Sequence, residues 1–512
     1  MQMMTQAICR IHRYCGTLFL FIFAGASVCL AAKPVVEAPP EPVLTLKAQC
    51  GVPFQDNAVL QQKIPLPVWG ASLPGAEVTV RFGGQTQTAT ADQAGAWRVV
   101  LEPMDAIKLT SVSEAPEGMT MIIVCTKDGE QAVVEIKNVV LGDVWICAGQ
   151  SNMAGTILTI IVKEQGPNGV VINSEGLVKE NKLPYFPKDT VTSATFPALR
   201  QLLSGRDSPW LICSPQTVLE FTKVGFFFGR RLQRDALVPI GLIAAAKGGS
   251  RIETWLNQKP YARGKNYTRL IEPIVGYGVR GALWYQGESN ENDKRGYQAK
   301  LESLITGWRK VWGQGPFPVH FVQLPGIHTS SLDNPAGGDG RAEIRQAFFE
   351  TLAVTNTGMA VTIDIGAERE HPPYKYDTGV RLARSVLQKE YGFKALATSP
   401  LYTGHTIEGE AIRISFDNAD NGLMVALKEG LSPAVPTPGA TLQWLSIQAS
   451  DGTWHWADGK IYGSDLVVSC KAVKEPAAVR YAYTQHPRGH LLYNKDGQPV
   501  GPFSTNGYGA EQ

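Results

Sequence analysis

Between Val43 and Lys137 the apolar residues recur in short alternating runs cut by turns. Glu77-Val78-Thr79-Val80-Arg81-Phe82 runs into Gly83-Gly84, and Trp97-Arg98-Val99-Val100-Leu101 follows a little later. Short period-two runs with turn signals every ~8–12 residues predict a β-sandwich or barrel. After Asn138 the pattern changes. Val224, Phe227, Phe228 and Leu232 mark one helical stripe, and Tyr297, Leu301, Leu304, Ile305, Trp308 and Trp312 mark another. Between these lie continuous apolar runs: Ile240 to Ala246, Val279 to Gln286, Pro318 to Leu324 and Met359 to Ile365. Unbroken apolar strands separated by amphipathic helices predict an α/β fold, with a parallel sheet covered on both faces. From Ala154 to Pro215 periodicity is weak, which reads as a long active-site loop or an insertion. Past Phe393 the short β runs return, as in Ala411 to Phe416, Leu466 to Ser469 and Ala478 to Tyr483.

Length fits this three-part pattern: 512 residues exceed one ordinary core, and ~150 per domain suggests about three. The 33 prolines and 52 glycines agree with many turns. A formal net charge of +2 argues against nucleic acid or an anionic membrane surface as the main partner. The N-terminus changes the picture more. Arg10 and Arg13 precede an apolar run from Thr17 to about Leu30, with Ala31 and Ala32 behind it. This reads as a secretory signal cleaved near Ala31. The run is short of the ~20 residues a membrane span needs, so no stable insertion is expected after cleavage. A Pro- and Ala-rich tether, Lys33-Pro34 through Glu41-Pro42, follows. The expected organisation is a signal peptide over 1–31, a β-sandwich over 32–137, a catalytic α/β domain over 138–392 and a second β-domain over 393–512. Secretion or a periplasmic location follows from the signal. Cys50, Cys125, Cys147, Cys213 and Cys470 remain after it. An odd count cannot pair completely within one chain, and the spacing fits no zinc pattern. No metal or cofactor is expected.

Four strand ends carry candidate chemistry. The first is Gly149-Gln150-Ser151-Asn152-Met153, which presents a serine hydroxyl where an apolar strand stops. Nucleophilic serines need such a position, and open α/β sheets bind ligands beyond their strands' carboxyl ends. It differs from the Gly-x-Ser-x-Gly elbow because Met153 stands where a glycine would. The second is Lys247-Gly248-Gly249-Ser250-Arg251, whose glycines let backbone N–H groups approach an oxyanion. In the third, Tyr285-Gln286-Gly287-Glu288-Ser289-Asn290, Gln286 is the first choice for a further donor and Asn290 the second. The fourth is Glu368-Arg369-Glu370-His371-Pro372, where His371 suits a general base. Trp145, Trp255, Trp284 and Tyr285 lie near these ends, placed either to stack on sugar rings or to pack the core.

These stretches, in this order, resemble the SGNH (GDSL-like) hydrolases, and more narrowly the sialate O-acetylesterase family. The resemblance is carried by Gly142 to Met153, Lys247 to Trp255 and Trp284 to Asn290, with support from Asp56 to Gln62 and from Pro502 to Thr505. It implies an SGNH-type, flavodoxin-like three-layer sandwich bearing the two β-domains. It implies Ser151 as nucleophile and His371 as base, with the Ser151 N–H, Gly249 and Gln286 lining an oxyanion hole. The family's aspartate before Ile-His-Pro is absent here. Glu368, with acid-x-x-His spacing, is the candidate acid, Glu370 and Asp364 are alternatives, and a Ser–His dyad with a backbone carbonyl in the third role stays open. Arg251 (with Lys247) would meet a substrate carboxylate, and Asn290 would also contact substrate. The expected function is secreted carbohydrate O-acetylesterase activity on sialic acid or another acetylated glycan, through an acetyl-enzyme. The competing reading is a carbohydrate-binding protein on a degenerate esterase scaffold. An esterase for simple lipophilic esters is a third.

Overall fold

The computed structural model describes residues 45–159, 187, 189–206 and 208–508. The expected signal peptide and the Pro-rich tether lie outside the described residues. Strands β1 to β7 (Gln49–Cys50, Val59–Gln61, Leu66–Ala71, Glu77–Phe82, Gln85–Thr90, Ala96–Leu101 and Met119–Lys127) supply the expected N-terminal β pattern.

The organising element is β8, Glu130–Gly149. Its first half alternates between exposed and part-buried positions and pairs antiparallel with β7. From Val139 onward it is almost wholly buried and lies between parallel neighbours. Period-two patterning thus gives way to a continuous apolar run within one strand, as each environment requires. The expected boundary at 137/138 falls inside β8, next to Asn138, which has a left-handed φ of 55°. Arg200 donates there to the Asn138 and Asn57 carbonyls at 2.5 and 3.0 Å.

Six further strands line up with β8 along the main path of its sheet: β9 (Phe196–Leu203), β10 (Leu211–Cys213), β11 (Ile240–Ala246), β12 (Gly281–Tyr285), β13 (Val319–Val322) and β14 (Thr357–Ala360). Their order is β10-β9-β11-β8-β12-β13-β14, with only the β10–β9 pair antiparallel. From β8 the chain passes to β9 and β10 at one edge, returns to β11 beside β8, then crosses to β12 on the other side. Such a reversal opens a crevice beyond the strand ends.

Strand β9 occupies part of the stretch expected to be loop. Pro197 and the buried polar pair Arg200 and Gln201 interrupt its apolar pattern. Those side chains are satisfied by distant groups, Gln201 by the Glu220 carbonyl at 3.2 Å and the Thr222 N–H at 2.9 Å.

Five α-helices matter here: α1 (Ser151–Ala154), α2 (Lys223–Ala236), α3 (Gly296–Trp312), α4 (Gly340–Thr351) and α5 (Lys375–Glu390). Thr222 caps α2 by accepting from the Gly225 N–H at 3.3 Å, and Asp339 caps α4 through the Ala342 N–H at 2.9 Å. Trp145 of β8 packs on Phe228 of α2. Trp284 of β12 packs on Trp308 of α3. Trp284 is level with Ala148, three residues from Trp145, so the two rings leave opposite faces of the sheet. Trp145, Trp255, Trp284 and Tyr285 are all buried core residues, which removes them as stacking platforms for a sugar. Past residue 400 the chain forms antiparallel strands in three small sheets.

Candidate active site

Register brings three of the four candidate stretches together. Gly149 at the end of β8 is level with Ala246 of β11 and Tyr285 of β12. The next residues therefore emerge side by side: Gln150-Ser151, Lys247-Gly248-Gly249 and Gln286. Two backbone bonds fasten them, Lys247 N–H to the Gly149 carbonyl at 2.9 Å and Gln150 N–H to the Tyr285 carbonyl at 3.0 Å. Gly149 has φ of 142°, and a Cβ there would stand 2.1 Å from the Tyr285 carbonyl oxygen. Only glycine fits so close an approach.

Ser151 opens α1, so its N–H has no intrahelical acceptor. Its Oγ lies 2.8 Å from His371 Nε2, across 220 positions of sequence. His371 sits in an irregular segment after the short 3₁₀ turn Ile363–Ile365. A Cβ on Gly248 would stand 3.7 Å from Ser151 Cβ, and the next residue, Gly249, has a left-handed φ of 66°.

The other candidates have definite partners. Gln286 is fully buried, and its amide N–H groups serve the Gln150 side chain (3.1 Å), the Ser250 carbonyl (3.1 Å) and the Asn290 side chain (2.7 Å). Its carbonyl oxygen accepts from the Tyr297 hydroxyl at 2.9 Å. In this geometry Gln286 knits together the loops that present Ser151 and Gly249. Asn290 is buried too. It accepts from the Ile252 N–H (2.9 Å) and donates to Glu253 (3.1 Å) and Asp293 (2.6 Å). Arg251 pairs with Asp293 at 2.5 Å and Glu253 at 3.2 Å, and Lys300 joins the same two carboxylates. Burial acts to raise the Glu253 carboxyl, yet hydrogen bonds from Lys300, its own backbone, Asn290 and Arg251 outweigh it and bring it to about 2.

Glu368 does not meet His371. Its side chain is 73% exposed and pairs with Arg488 at 3.0 Å. Asp364 is held bidentately by Arg381 at 2.5 and 2.8 Å. Glu370 contributes its backbone: its carbonyl accepts from Asn152 Nδ2 at 3.2 Å. His320 and His486 are structural. His320 is buried against Ser385 and Glu390, and His486 donates from Nδ1 to the His328 carbonyl at 2.5 Å.

Sequence reasoning passed over a buried polar group behind the serine. Asn152 Nδ2 also donates to Glu288 Oε1 at 2.5 Å. Lys375, buried at the start of α5, lies over the Tyr285 ring at 5.3 Å. Burial drives its ammonium well below the ordinary lysine range; Lys223 and Arg369 push the same way, and Glu288 opposes them. The available signals were position alone, Glu288 just beyond β12 and Lys375 four residues past His371. Behind Met153 and Gly248 a cleft of about 480 Å³ is lined by Leu219 and Leu270 together with Lys247, Arg206, Arg269 and Glu220.

With this geometry in view, the likenesses to known proteins are specific. Residues 141–388 match the family described as carbohydrate esterase, sialic acid-specific acetylesterase. Human (Homo sapiens) sialate O-acetylesterase is 27% identical over 399 residues, spanning 67% of this chain and 71% of that protein. The Rattus norvegicus sialate O-acetylesterase is 26% identical over 427 residues, spanning 67% and 74%. A carbohydrate acetylesterase from Xanthomonas citri has a similar structure, with TM-score 0.73 and 30% identity, covering 90% of this chain and 99% of that one. The protein is therefore a carboxylic-ester hydrolase of the carbohydrate esterases. Among these, the chain belongs to the sialate O-acetylesterase family.

Proposed function

We propose that this is an exported O-acetylesterase that removes acetyl groups from sialic acid or another acetylated glycan by a Ser–His mechanism. The observation that carries the reading is the 2.8 Å contact between Ser151 Oγ and His371 Nε2. His371 takes the Ser151 proton as Oγ attacks the acetyl carbonyl carbon. The N–H groups of Ser151 and Gly249 face the developing oxyanion, a contribution worth ~10²–10³ per donor in comparable sites. The tetrahedral intermediate then expels the sugar oxygen, which takes the proton from His371. The remaining acetyl-enzyme is hydrolysed by a water that His371 deprotonates, giving acetate and free Ser151. Gln286 supports the two loops in this scheme. Glu368 is engaged by Arg488, so the scheme rests on the Ser151–His371 pair.

The same reading takes the central sheet and its two helical layers as the flavodoxin-like SGNH arrangement within 138–392, flanked by β-domains. It takes the N-terminal 1–31 as an export signal. The cations Lys247, Arg206 and Arg269 around the cleft suit a sugar that carries a carboxylate. Arg251, held by two carboxylates, suits that role less well.

The test is acetate release from a panel including O-acetylated sialic acid and acetylated xylan, by wild type, Ser151→Ala and Glu368→Gln. Ser151→Ala should lower kcat by a factor on the order of 10⁴ or more. Glu368→Gln should remain within about 3-fold, since an exposed ion pair contributes little. Activity that survives Ser151→Ala refutes the nucleophile. A collapse on Glu368→Gln comparable to loss of a triad acid restores Glu368 as the third member.

A further inference from the structure

The segments that carry Ser151 and His371 are joined by two adjacent rungs. The first is Ser151 Oγ to His371 Nε2. The second joins the neighbouring residues, Asn152 Nδ2 to the Glu370 carbonyl at 3.2 Å. The other hydrogen of the same Asn152 amide goes to Glu288 Oε1 at 2.5 Å. Both neighbours are acceptors only, so the amide orientation is dictated chemically: nitrogen toward Glu288 and Glu370, oxygen away. Asn152 Oδ1 and Glu288 Oε2 are buried and have no hydrogen-bond partner among the described residues. A buried amide with an idle oxygen and two committed hydrogens is costly unless the donor side is fully used.

Residues 366–374 contain no helix or strand beyond one isolated bridge at Ala367. Upstream, Ala367 N–H bonds the Gly326 carbonyl at 3.0 Å, and Glu368 bonds Arg488 at the surface. The Asn152 contact grips the residue immediately before the histidine. Glu288 itself is well placed to act as an anchor, because it opens the turn three residues past the end of β12, and β12 is in register with β8. The anchor, the bridge and the nucleophile thus all stand on the same two adjacent strand ends.

We propose that Glu288 is a positioning residue: through the Asn152 amide it holds the Glu370 carbonyl, and so keeps the His371 imidazole in line with Ser151 Oγ. This rests on the Ser151–His371 reading above. Glu288 needs only to accept a hydrogen bond for this, so an uncharged acceptor of the same shape should serve.

The test uses the full chain and hydrolysis of 4-nitrophenyl acetate, with kcat and KM determined separately for Glu288→Gln, Glu288→Ala, Asn152→Ser, the double variant Glu288→Ala/Asn152→Ser, and Ser151→Ala. Misplacing a reacting group by about 1 Å costs on the order of 10²-fold. Glu288→Ala should therefore lower kcat roughly 30- to 100-fold while KM stays within about 2-fold. Glu288→Gln should recover activity to within about 5-fold of wild type, because the amide oxygen still accepts. The double variant should be no worse than the poorer single variant, since both residues act through one path. Thermal melting of each variant separates loss of positioning from loss of folding. If Glu288→Ala does not fold, Asn152→Ser breaks the same bridge from its other end and carries the same expectation. The proposal is overturned by wild-type kcat in Glu288→Ala or Asn152→Ser, by a loss confined to KM, by additive losses in the double variant, or by a Gln variant as poor as Ala. Failure of the underlying mechanism looks different: Ser151→Ala would then remain active whatever Glu288 does.

Discussion

Replacing Gly149 by alanine tests the register that assembles the site. A Cβ on residue 149 would lie 2.1 Å from the Tyr285 oxygen and 2.6 Å from its carbonyl carbon. Carbon–oxygen contacts close at about 3.3 Å, so β8 and β12 must part by about 1.2 Å at this point. Both neighbours are backbone, and no flexible side chain can give way. The move loosens two buried hydrogen bonds, Gln150 N–H to Tyr285 O and Lys247 N–H to Gly149 O, each worth about 1 kcal/mol net. Holding alanine at φ of 142° adds roughly 1–3 kcal/mol of strain. Reduced freedom of the unfolded chain returns about 0.4–1 kcal/mol. The expected net loss is about 3 kcal/mol, read as a lower urea midpoint with an unchanged m-value. Ser151 is two residues away, so its shift against His371 should lower kcat on the order of 10²-fold. Two neighbours provide the scale. Gly249→Ala meets nothing within 4 Å but keeps φ of 66°, and should cost about 1 kcal/mol. Gly248→Ala places its Cβ 3.7 Å from Ser151 Cβ, an ordinary contact, and its stability should stay within about 0.5 kcal/mol of wild type. Wild-type kcat and midpoint in Gly149→Ala, or equal losses in all three variants, would refute the reasoning.

Two further outcomes follow from buried charges. Asp364→Ala strands the Arg381 guanidinium, whose two bonds to Asp364 are 2.5 and 2.8 Å and whose side chain is 7% exposed. Breaking such a pair should cost about 3–5 kcal/mol in urea denaturation, and a loss below about 1 kcal/mol would show the pair to be solvated. His486 is pushed from 6.5 down to about 4 by burial first, with Arg488, Arg345 and Arg341 adding to it against the bond to His328. Between these values the unfolded chain binds a proton that the folded chain refuses, so stability is complete above pH 6.5 and declines as pH falls toward 4. The decline attributable to His486 should reach up to about 3 kcal/mol. In urea titrations at pH 7 and pH 4.5, His486→Asn should show a smaller difference than wild type; an identical difference would remove His486 as its source.

Local pattern was enough for much of the catalytic region. The apolar run Ile240–Ala246 is β11 as read, and the stripe from Tyr297 to Trp312 is α3. Both signals depend on which residues are apolar at a fixed spacing, and burial of a strand or a helix face enforces that spacing wherever the element packs. The position of Ser151, just past the end of a buried strand, was legible for the same reason. Strand β9 was not, because Arg200 and Gln201 interrupt the pattern and their partners, Asn57, Asn138 and Glu220, are far away in sequence.

The division of labour among the polar residues belonged to the tertiary structure alone. Gln286, Asn290 and Arg251 stand at the expected strand ends, but their amides and guanidinium are taken up by one another's loops and by Asp293 and Glu253. Glu368 has the spacing to reach His371, yet Arg488, 120 positions away, takes its carboxylate. Conversely Asn152, Glu288 and Glu370 gave no periodic signal and turn out to lie on one chain of hydrogen bonds. A hydrogen bond is satisfied by whichever partner the fold brings within about 3 Å. Local spacing thus set strands such as β11, helices such as α3, and the place of Ser151 at a strand end. Only the packing of distant segments decided that His371 meets Ser151, and which carboxylates are free to assist them.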